Sequence, residues 1–243
     1  MIALLKKELS SFLNSLIGYV VIVVFLLMMG LFLWVFPGEP NILMNQYAGI
    51  DGLFSITPYL YIFLVPAITM KSFSEEKKSG TIEFLLTKPL SEFQIILAKY
   101  LAGFVLLLIA LIPSFVYYYS VYKLGNPVGN IDIGSTNGSY IGLVMLGSAF
   151  VSVGIFASIL SDSQIISFLI GVFLSFFFLS GIESIASIPL FNSIDWILLE
   201  FSLNSHYLSM SRGVIDSRDI IFFISFNAIF ILLTQLKLES RKW

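Results

Sequence analysis

An all-α membrane protein with six transmembrane helices is the fold class the sequence predicts, and three observations predict it. The first is a set of six runs that contain no charged residue: Leu16–Phe36, Gly52–Met70, Tyr100–Tyr122, Tyr140–Ser161, Ser163–Ile182 and Ile220–Leu236. Each is about 17 to 23 residues long, the length a helix needs to cross a hydrocarbon core while satisfying its own backbone. The second is that these runs do not alternate apolar and polar residues in segments of about 10, as membrane β-barrel strands do. The third is composition: 58% of the 243 residues are hydrophobic, 12% are charged, and the mean hydropathy is +0.95.

The charges fix an orientation. With the N-terminus inside, Lys6, Lys7, Lys71, Lys77, Lys78, Lys88, Lys99, Lys237, Arg241 and Lys242 face the cytoplasm, and only Lys123, Arg212 and Arg218 face out. That is the positive-inside pattern, and the flipped topology reverses it. The net charge of −2 says little about partners, and the absence of cysteine removes disulfides and thiolate metal sites.

Taken in order, residues 1–15 read as an interfacial helix, with Ile2, Leu5, Leu9 and Phe12 on one face and Lys6, Lys7, Ser10 and Asn14 on another. A cytosolic extension of span 1 is the other reading of the same periodicity. Span 1 ends in Leu-Trp-Val-Phe-Pro, which lacks the small residues of a signal-peptidase site, so it is retained. Span 2 carries Pro58 and Pro66, and the second is expected to kink it. Span 3 closes on Tyr117, Tyr118, Tyr119 and Tyr122, an interfacial belt. Span 4 sets Gly138, Gly142, Gly147, Ser148, Ser152 and Gly154 at spacings that let helices approach closely. Residues 183–218 are too apolar for a free loop and too often interrupted by Glu183, Asp195 and Glu200 for a seventh span, so short external interfacial helices are expected.

The stretch 71–99, KSFSEEKKSGTIEFLLTKPLSEFQIILAK, is the most informative, since it gathers five of the thirteen Lys and Arg residues between charge-free spans. Ser72 and Glu75 have capping-box spacing, which predicts a helical extension of span 2. Gly80 breaks that extension. Ile82, Leu85 and Leu86 then share one face of a two-turn helix, opposite Glu83 and Thr87, and Pro89 ends it. Ser91 and Gln94 cap the helix that runs through Lys99 into span 3. The product is a short helix held across one membrane face. A solvated hairpin with basic topology anchors accounts for the same spacing.

Several chemistries are excluded. No G-x-x-x-x-G-K-[ST] phosphate loop occurs. One histidine and no cysteine leave too few nitrogen and sulfur ligands for a protein zinc site, and His206 falls on the opposite side of the bilayer from Glu75 and Glu76, so these cannot converge on a metal at about 2 Å. His206 reads as an ordinary interfacial histidine. The spans lack the ionisable groups that proton relays and ion-coupled carriers need, which argues against a secondary transporter.

The pattern Glu75-x-x-x-x-Gly80-Thr81-x-Glu83-x-Leu85-Leu86-x-x-Pro89-Leu90-Ser91, followed by Ile96-x-x-Lys99, resembles the cytoplasmic loop of ABC-2 type ABC transporter permeases. Gly125-Asn126-Pro127, Gly129-Asn130, Asp132, Gly138-Ser139-Tyr140-Ile141-Gly142 and the tail from Leu236 to Arg241 look like the gliding-motility-associated permease subunit of that family. The resemblance implies a single transmembrane domain over 1–243, with Ile82–Lys88 as the coupling helix between spans 2 and 3. Glu83 and the charges Glu75, Glu76, Lys77 and Lys78 would then contact a separate cytoplasmic ATPase subunit. Thr81, Ile82, Leu85 and Leu86 would lie in that interface, with Gly80 and Pro89 shaping it. It further implies no catalytic, cofactor or metal residue in this chain, with ATP and magnesium on the partner ATPase. The other partners would be a second permease chain and membrane lipid, not nucleic acid. The place would be the bacterial inner membrane, with both termini cytoplasmic, and the role transport coupled to gliding motility. A membrane anchor of a motility or secretion complex that moves no cargo is the alternative.

Overall fold

The computed structural model describes residues 1–44, 47–87, 89–189 and 195–240, and the side chains of Ile17 and Leu86 also lie outside the description. Every regular element among the described residues is a helix. Five helices are long and apolar enough to cross a membrane, and a bent pair at the N-terminus makes a sixth span if counted as one.

That pair is α1 (Ile2–Leu13) and α2 (Leu16–Trp34), which meet at a 66° bend. Ser15 makes the corner: its Oγ donates to the Phe12 carbonyl and accepts from the Gly18 N–H, closing one helix and capping the next. The expected apolar face of α1 is corrected in part. Leu4 and Phe12 are the buried residues, Leu5 and Leu9 pack partly on the core, and Ile2 is exposed. The inward stripe therefore includes Glu8, at helical spacing between Leu4 and Phe12, because Glu8 answers a buried cation on span 3.

Span 2 comprises α3 (Asp51–Thr69) and α4 (Lys71–Lys78), which run as one 28-residue helix. It continues through Pro58 and Pro66, neither of which can donate a backbone hydrogen bond, and a turn at Met70, whose N–H still donates to the Pro66 carbonyl at 2.8 Å, separates α3 from α4. The predicted extension past the membrane is present, but Ser72 does not cap it: α4 starts at Lys71 without a side-chain cap. A short helix, α5 (Ile82–Leu86), follows. Span 3 is α6 (Glu92–Leu111), a 3₁₀ turn at Ile112–Ser114 and α7 (Phe115–Leu124). Pro113 sits within that turn, where its missing N–H is least damaging. Of the tyrosine belt, Tyr119 is exposed, whereas Tyr117 turns in and donates to the Leu26 carbonyl of span 1.

Span 4 is α8 (Ile133–Leu160), started by Asp132, whose carboxylate accepts from the Ser135 N–H. It is the hub of the bundle, the most buried of the spans. Its glycines are where neighbours come close. A Cβ at Gly138 would strike the Met210 carbonyl, one at Gly147 would strike Leu107, and one at Gly154 would strike Thr69. Close approach is thus the reason for small residues here. Gly154→Val is expected to destabilise the protein by about 1–3 kcal/mol through overpacking against span 2. Gly134→Ala, where only the Asp132 side chain is near, is expected to leave thermal unfolding in detergent unchanged.

Span 5 is α9 (Gln164–Phe176), a π-helical turn at Phe177–Gly181 and α10 (Ile182–Ala186). Glu183, expected in the external segment, belongs to this helix. Among the described residues two short α-helices follow, α11 (Asp195–Leu199) and α12 (Leu203–Ser211), before span 6, α13 (Ser217–Glu239). Residues 190–194, and Arg241 and Lys242 of the basic tail, lie outside the described residues.

The helix α12 is not an appendage of the surface. Leu203, His206, Tyr207 and Met210 are buried, and Tyr207 reaches across to donate to the Phe54 carbonyl at 2.7 Å. Glu183 holds its first turn, accepting from Ser202 Oγ at 2.9 Å and Asn204 Nδ2 at 3.0 Å. His206, expected to be an ordinary interfacial residue, is instead buried and paired with Asp219 of span 6, Nδ1 to Oδ1 2.7 Å. Its Nε2 lies 3.0 Å from the Glu200 carbonyl and its ring stacks on Phe222. The correction has a simple cause: the segment folds back onto spans 4 and 6, so its histidine leaves the interface.

Candidate functional site

The loop between spans 2 and 3 lies at the end of the bundle that also carries Lys7, Lys77 and Lys99, called here the basic end. Its shape comes from local rules. Ser79 closes α4 by donating its N–H to the Glu75 carbonyl. Gly80 then adopts φ +68°, the left-handed conformation that ends helices and that a side chain disfavours. Thr81 leads into α5, and Pro89 follows it. Ser91 and Gln94 form the predicted capping box, both bonds being present, so α6 starts where the sequence places it.

The helix α5 has an inner and an outer side. Ile82 is buried and Leu85 packs partly on the core, while Glu83 is exposed and Phe84 is 73% exposed. Leu86 by its side chain, and Lys88 altogether, lie outside the described residues. A groove of about 510 Å³ runs between this helix and α1, lined by Leu4 on one side and by Phe84, Leu85 and Leu90 on the other. Phe84 was not among the expected site residues. Its signal is the interruption of the pattern, a large aromatic on the polar side of a helix already satisfied by Ile82 and Leu85.

The four charges before Gly80 do not act together. Glu76 points inward: its Oε1 accepts from Lys7 Nζ at 2.9 Å and its Oε2 lies 2.9 Å from Lys99 Nζ. Lys99 is completely buried, and it also donates to Glu8 Oε1 at 3.0 Å and to the Ser72 carbonyl, with its ammonium 4.9 Å from the centre of the Phe73 ring. Such a cation survives burial because two carboxylates stand within 3.0 Å of it and two of its hydrogens are accepted, by Glu8 and by the Ser72 carbonyl. Lys77 turns the other way, donating to the Ile159 carbonyl at 3.1 Å and pairing with Asp162 at 2.9 Å. It thereby places a positive charge on the carbonyl end of α8, where the helix dipole favours one. Glu75 and Lys78 are exposed.

Consecutive residues Glu76 and Lys77 therefore tie α4 to two parts of the bundle: α1 and α6 on one side, the turn between spans 4 and 5 on the other. The network also tunes Lys7. Partial burial pulls its ammonium pKa down, but the hydrogen bond to Glu76 and the charges of Glu8 and Glu76 outweigh it and raise the value above that of free lysine. This contribution is complete below the ordinary lysine pKa and is lost only as pH rises through the raised one, so it is constant near neutrality.

In the sequence Lys99 reads as a basic anchor and as the end of the Ile96-x-x-Lys99 pattern, not as a buried residue. The signal for its burial was available: Ile95, Ile96, Ala102 and Gly103 lie one turn away on either side, which puts Lys99 on the apolar face of α6. Glu8 could not be assigned as its partner, since nothing local links two residues 91 positions apart.

Among the described residues no cluster of three His, Asp or Glu side chains could hold a metal ion. Among the described residues at the basic end, α4 is clamped to the bundle through Glu76 and Lys77, and α5 turns Glu83 and Phe84 outward. The sequence matches the family model of ABC-2 family transporter proteins over residues 2–233. The chain belongs to the ABC-2 transporter family. No curated protein matches it. As an ABC-2 family member with several apolar spans it is a multi-pass membrane protein and the membrane component of an ABC transporter. Such components normally carry no ATPase of their own.

Proposed function

We propose that this chain is the permease subunit through which a separate ATPase drives movement of a cargo across the bacterial inner membrane. The observation that carries the proposal is the exposed side of α5. Glu83 and Phe84 face outward from a helix fixed between Gly80 at φ +68° and Pro89. A large aromatic left exposed on a short helix that buries its other side supports reading this surface as a site for a protein partner.

The excess of Lys and Arg at the basic end supports a cytoplasmic position for it and for both termini, where an ATPase with its ATP and magnesium would act. Thr81, Leu85 and Leu86 complete the docking helix, and Glu75 and Lys78 flank it. Glu76 and Lys77 act behind this surface. By tying α4 to spans 3 and 4 they transmit displacement of α5 into the bundle, so that closure of the ATPases tilts the spans. A second permease chain, identical or homologous, completes the pathway. The likeness of the outer loop and tail to gliding-motility permease subunits supports a role in that process.

Affinity purification of the tagged chain from its native membrane tests the proposal, comparing wild type with Glu83→Lys and Phe84→Asp. Wild type is expected to bring down a Walker-motif ATPase. Each variant is expected to lose it while retaining the wild-type thermal unfolding, since both side chains face away from the core. An ATPase retained by both variants, or absent from wild-type preparations that keep other membrane complexes intact, would overturn the assignment.

A further inference from the structure

Where α1 bends into α2, a second cavity of about 300 Å³ opens against spans 2 and 3 at the basic end. Its base is apolar, formed by Ala67, Ile68, Ala102 and Leu106. The hydroxyl-bearing residues Ser11, Ser79 and Thr81 are also among its lining. Six charged side chains line it, Lys7, Lys71 and Lys99 against Glu8, Glu75 and Glu76, so its formal charge is zero.

Four of the six satisfy one another: Lys99 with Glu8 and Glu76, and Lys7 with Glu8 and Glu76. Among the described residues Lys71 and Glu75 make no ion pair. They lie one helical turn apart on α4, and both line the cavity. A ligand that uses what is left needs an anion for Lys71, a hydrogen-bonding cation for Glu75 within reach of it, and an apolar continuation toward the membrane.

We infer that this cavity binds a phosphate ester joined to a primary ammonium, the phosphoethanolamine headgroup of a membrane lipid. The phosphate pairs with Lys71, the ammonium donates to Glu75 and the rim hydroxyls, and the glycerol end rests on Ala67, Ile68 and Leu106. The charge balance disfavours an anionic headgroup, which would bring a negative charge that nothing neutralises. A quaternary ammonium is disfavoured too. It has no N–H to donate, and Phe12 is the one aromatic ring among the lining residues, too few for a cation cage. The inference needs only that the chain lies in a bilayer, although Glu75 and Thr81, which line the cavity, also border the proposed docking helix.

The test uses the full chain in nanodiscs with equal parts of phosphatidylethanolamine, phosphatidylcholine and phosphatidylglycerol of identical acyl chains. Lipids that stay bound after release are counted by native mass spectrometry. The expected result is selective retention of phosphatidylethanolamine, weakened about tenfold in Lys71→Gln and in Glu75→Gln, as loss of one charge-assisted hydrogen bond implies. Unaltered thermal unfolding of the variants separates lost lipid from lost fold, and the wild-type lipid panel stands without them. An excess of soluble phosphoethanolamine is expected to leave the retained lipid in place. Displacement by it would overturn the lipid as the source of the headgroup. Equal retention of the three lipids, preference for phosphatidylglycerol, or selectivity unchanged in both variants would overturn the site.

Discussion

Lys99→Met is expected to destabilise the protein by about 3–5 kcal/mol, the largest effect of any single substitution proposed for it, measured as reversible unfolding in mixed micelles. The lysine side chain is fully enclosed, and its ammonium is shared between Glu8, Glu76 and the Ser72 carbonyl. Removing it leaves two carboxylates facing each other with only Lys7, which is mostly exposed, to offset them. The effect is therefore due less to the lost attraction than to the uncompensated acids left behind. A triple replacement, Lys99→Met with Glu8→Gln and Glu76→Gln, is expected to recover most of the stability. If it is no more stable than Lys99→Met alone, the network is not the reason. The same triple variant is expected to stay defective in coupling, because α4 is no longer held to α1 and α6.

Asp219→Leu is expected to lower stability by about 1.5–3 kcal/mol and to expose the segment 195–216 to proteolysis. The carboxylate holds the His206 ring 2.7 Å away, and that ring joins α12 to α13 while stacked on Phe222 at 3.8 Å. Without it the imidazole is buried with one nitrogen unanswered. The double variant His206→Phe with Asp219→Leu removes both polar groups and keeps an aromatic on Phe222, so it is expected to be more stable than Asp219→Leu alone. Limited proteolysis that is unchanged in the single variant would show that α12 is held by Glu183 and Tyr207 without this pair.

Much of the fold was legible because it is written locally. Five of the six apolar runs coincide with helices long enough to cross a membrane, several of them extended by a turn or more, and the first does so when α1 and α2 are counted as one bent span. The capping box at Ser91 and Gln94 and the break at Gly80 were readable because each depends on one or two residues. The box proposed at Ser72 was misread by the same rule: the spacing was right, but the preceding helix did not end, so no N-terminus existed there to cap. Gly138, Gly147 and Gly154 were correctly read as contact points, although which helix each one meets was not.

The candidate site was legible in outline and not in detail. The loop, its short helix and the outward Glu83 follow from periodicity, glycine and proline. Phe84 is not picked out by periodicity, because the pattern separates Ile82 and Leu85 from Glu83 without saying whether an aromatic on the polar side meets solvent, lipid or the core. The charges Glu75 to Lys78 were read as one patch, since along a sequence adjacent charges look alike. On a helix, neighbours point about 100° apart, which is why Glu76 and Lys77 serve opposite sides of the bundle.

By itself the sequence determined the helices, the spans, the breaks between them and the excess of positive charge at one end. These depend on composition and on contacts within a few residues. Only the tertiary structure decided which charges are surface and which are struts. Glu8 meets Lys99 across 91 positions, Lys7 meets Glu76 across 69, and Tyr207 meets the Phe54 carbonyl across 153. Such pairs are set by how the helices stack, and a buried charge accepts its place only when a partner from elsewhere in the chain arrives beside it.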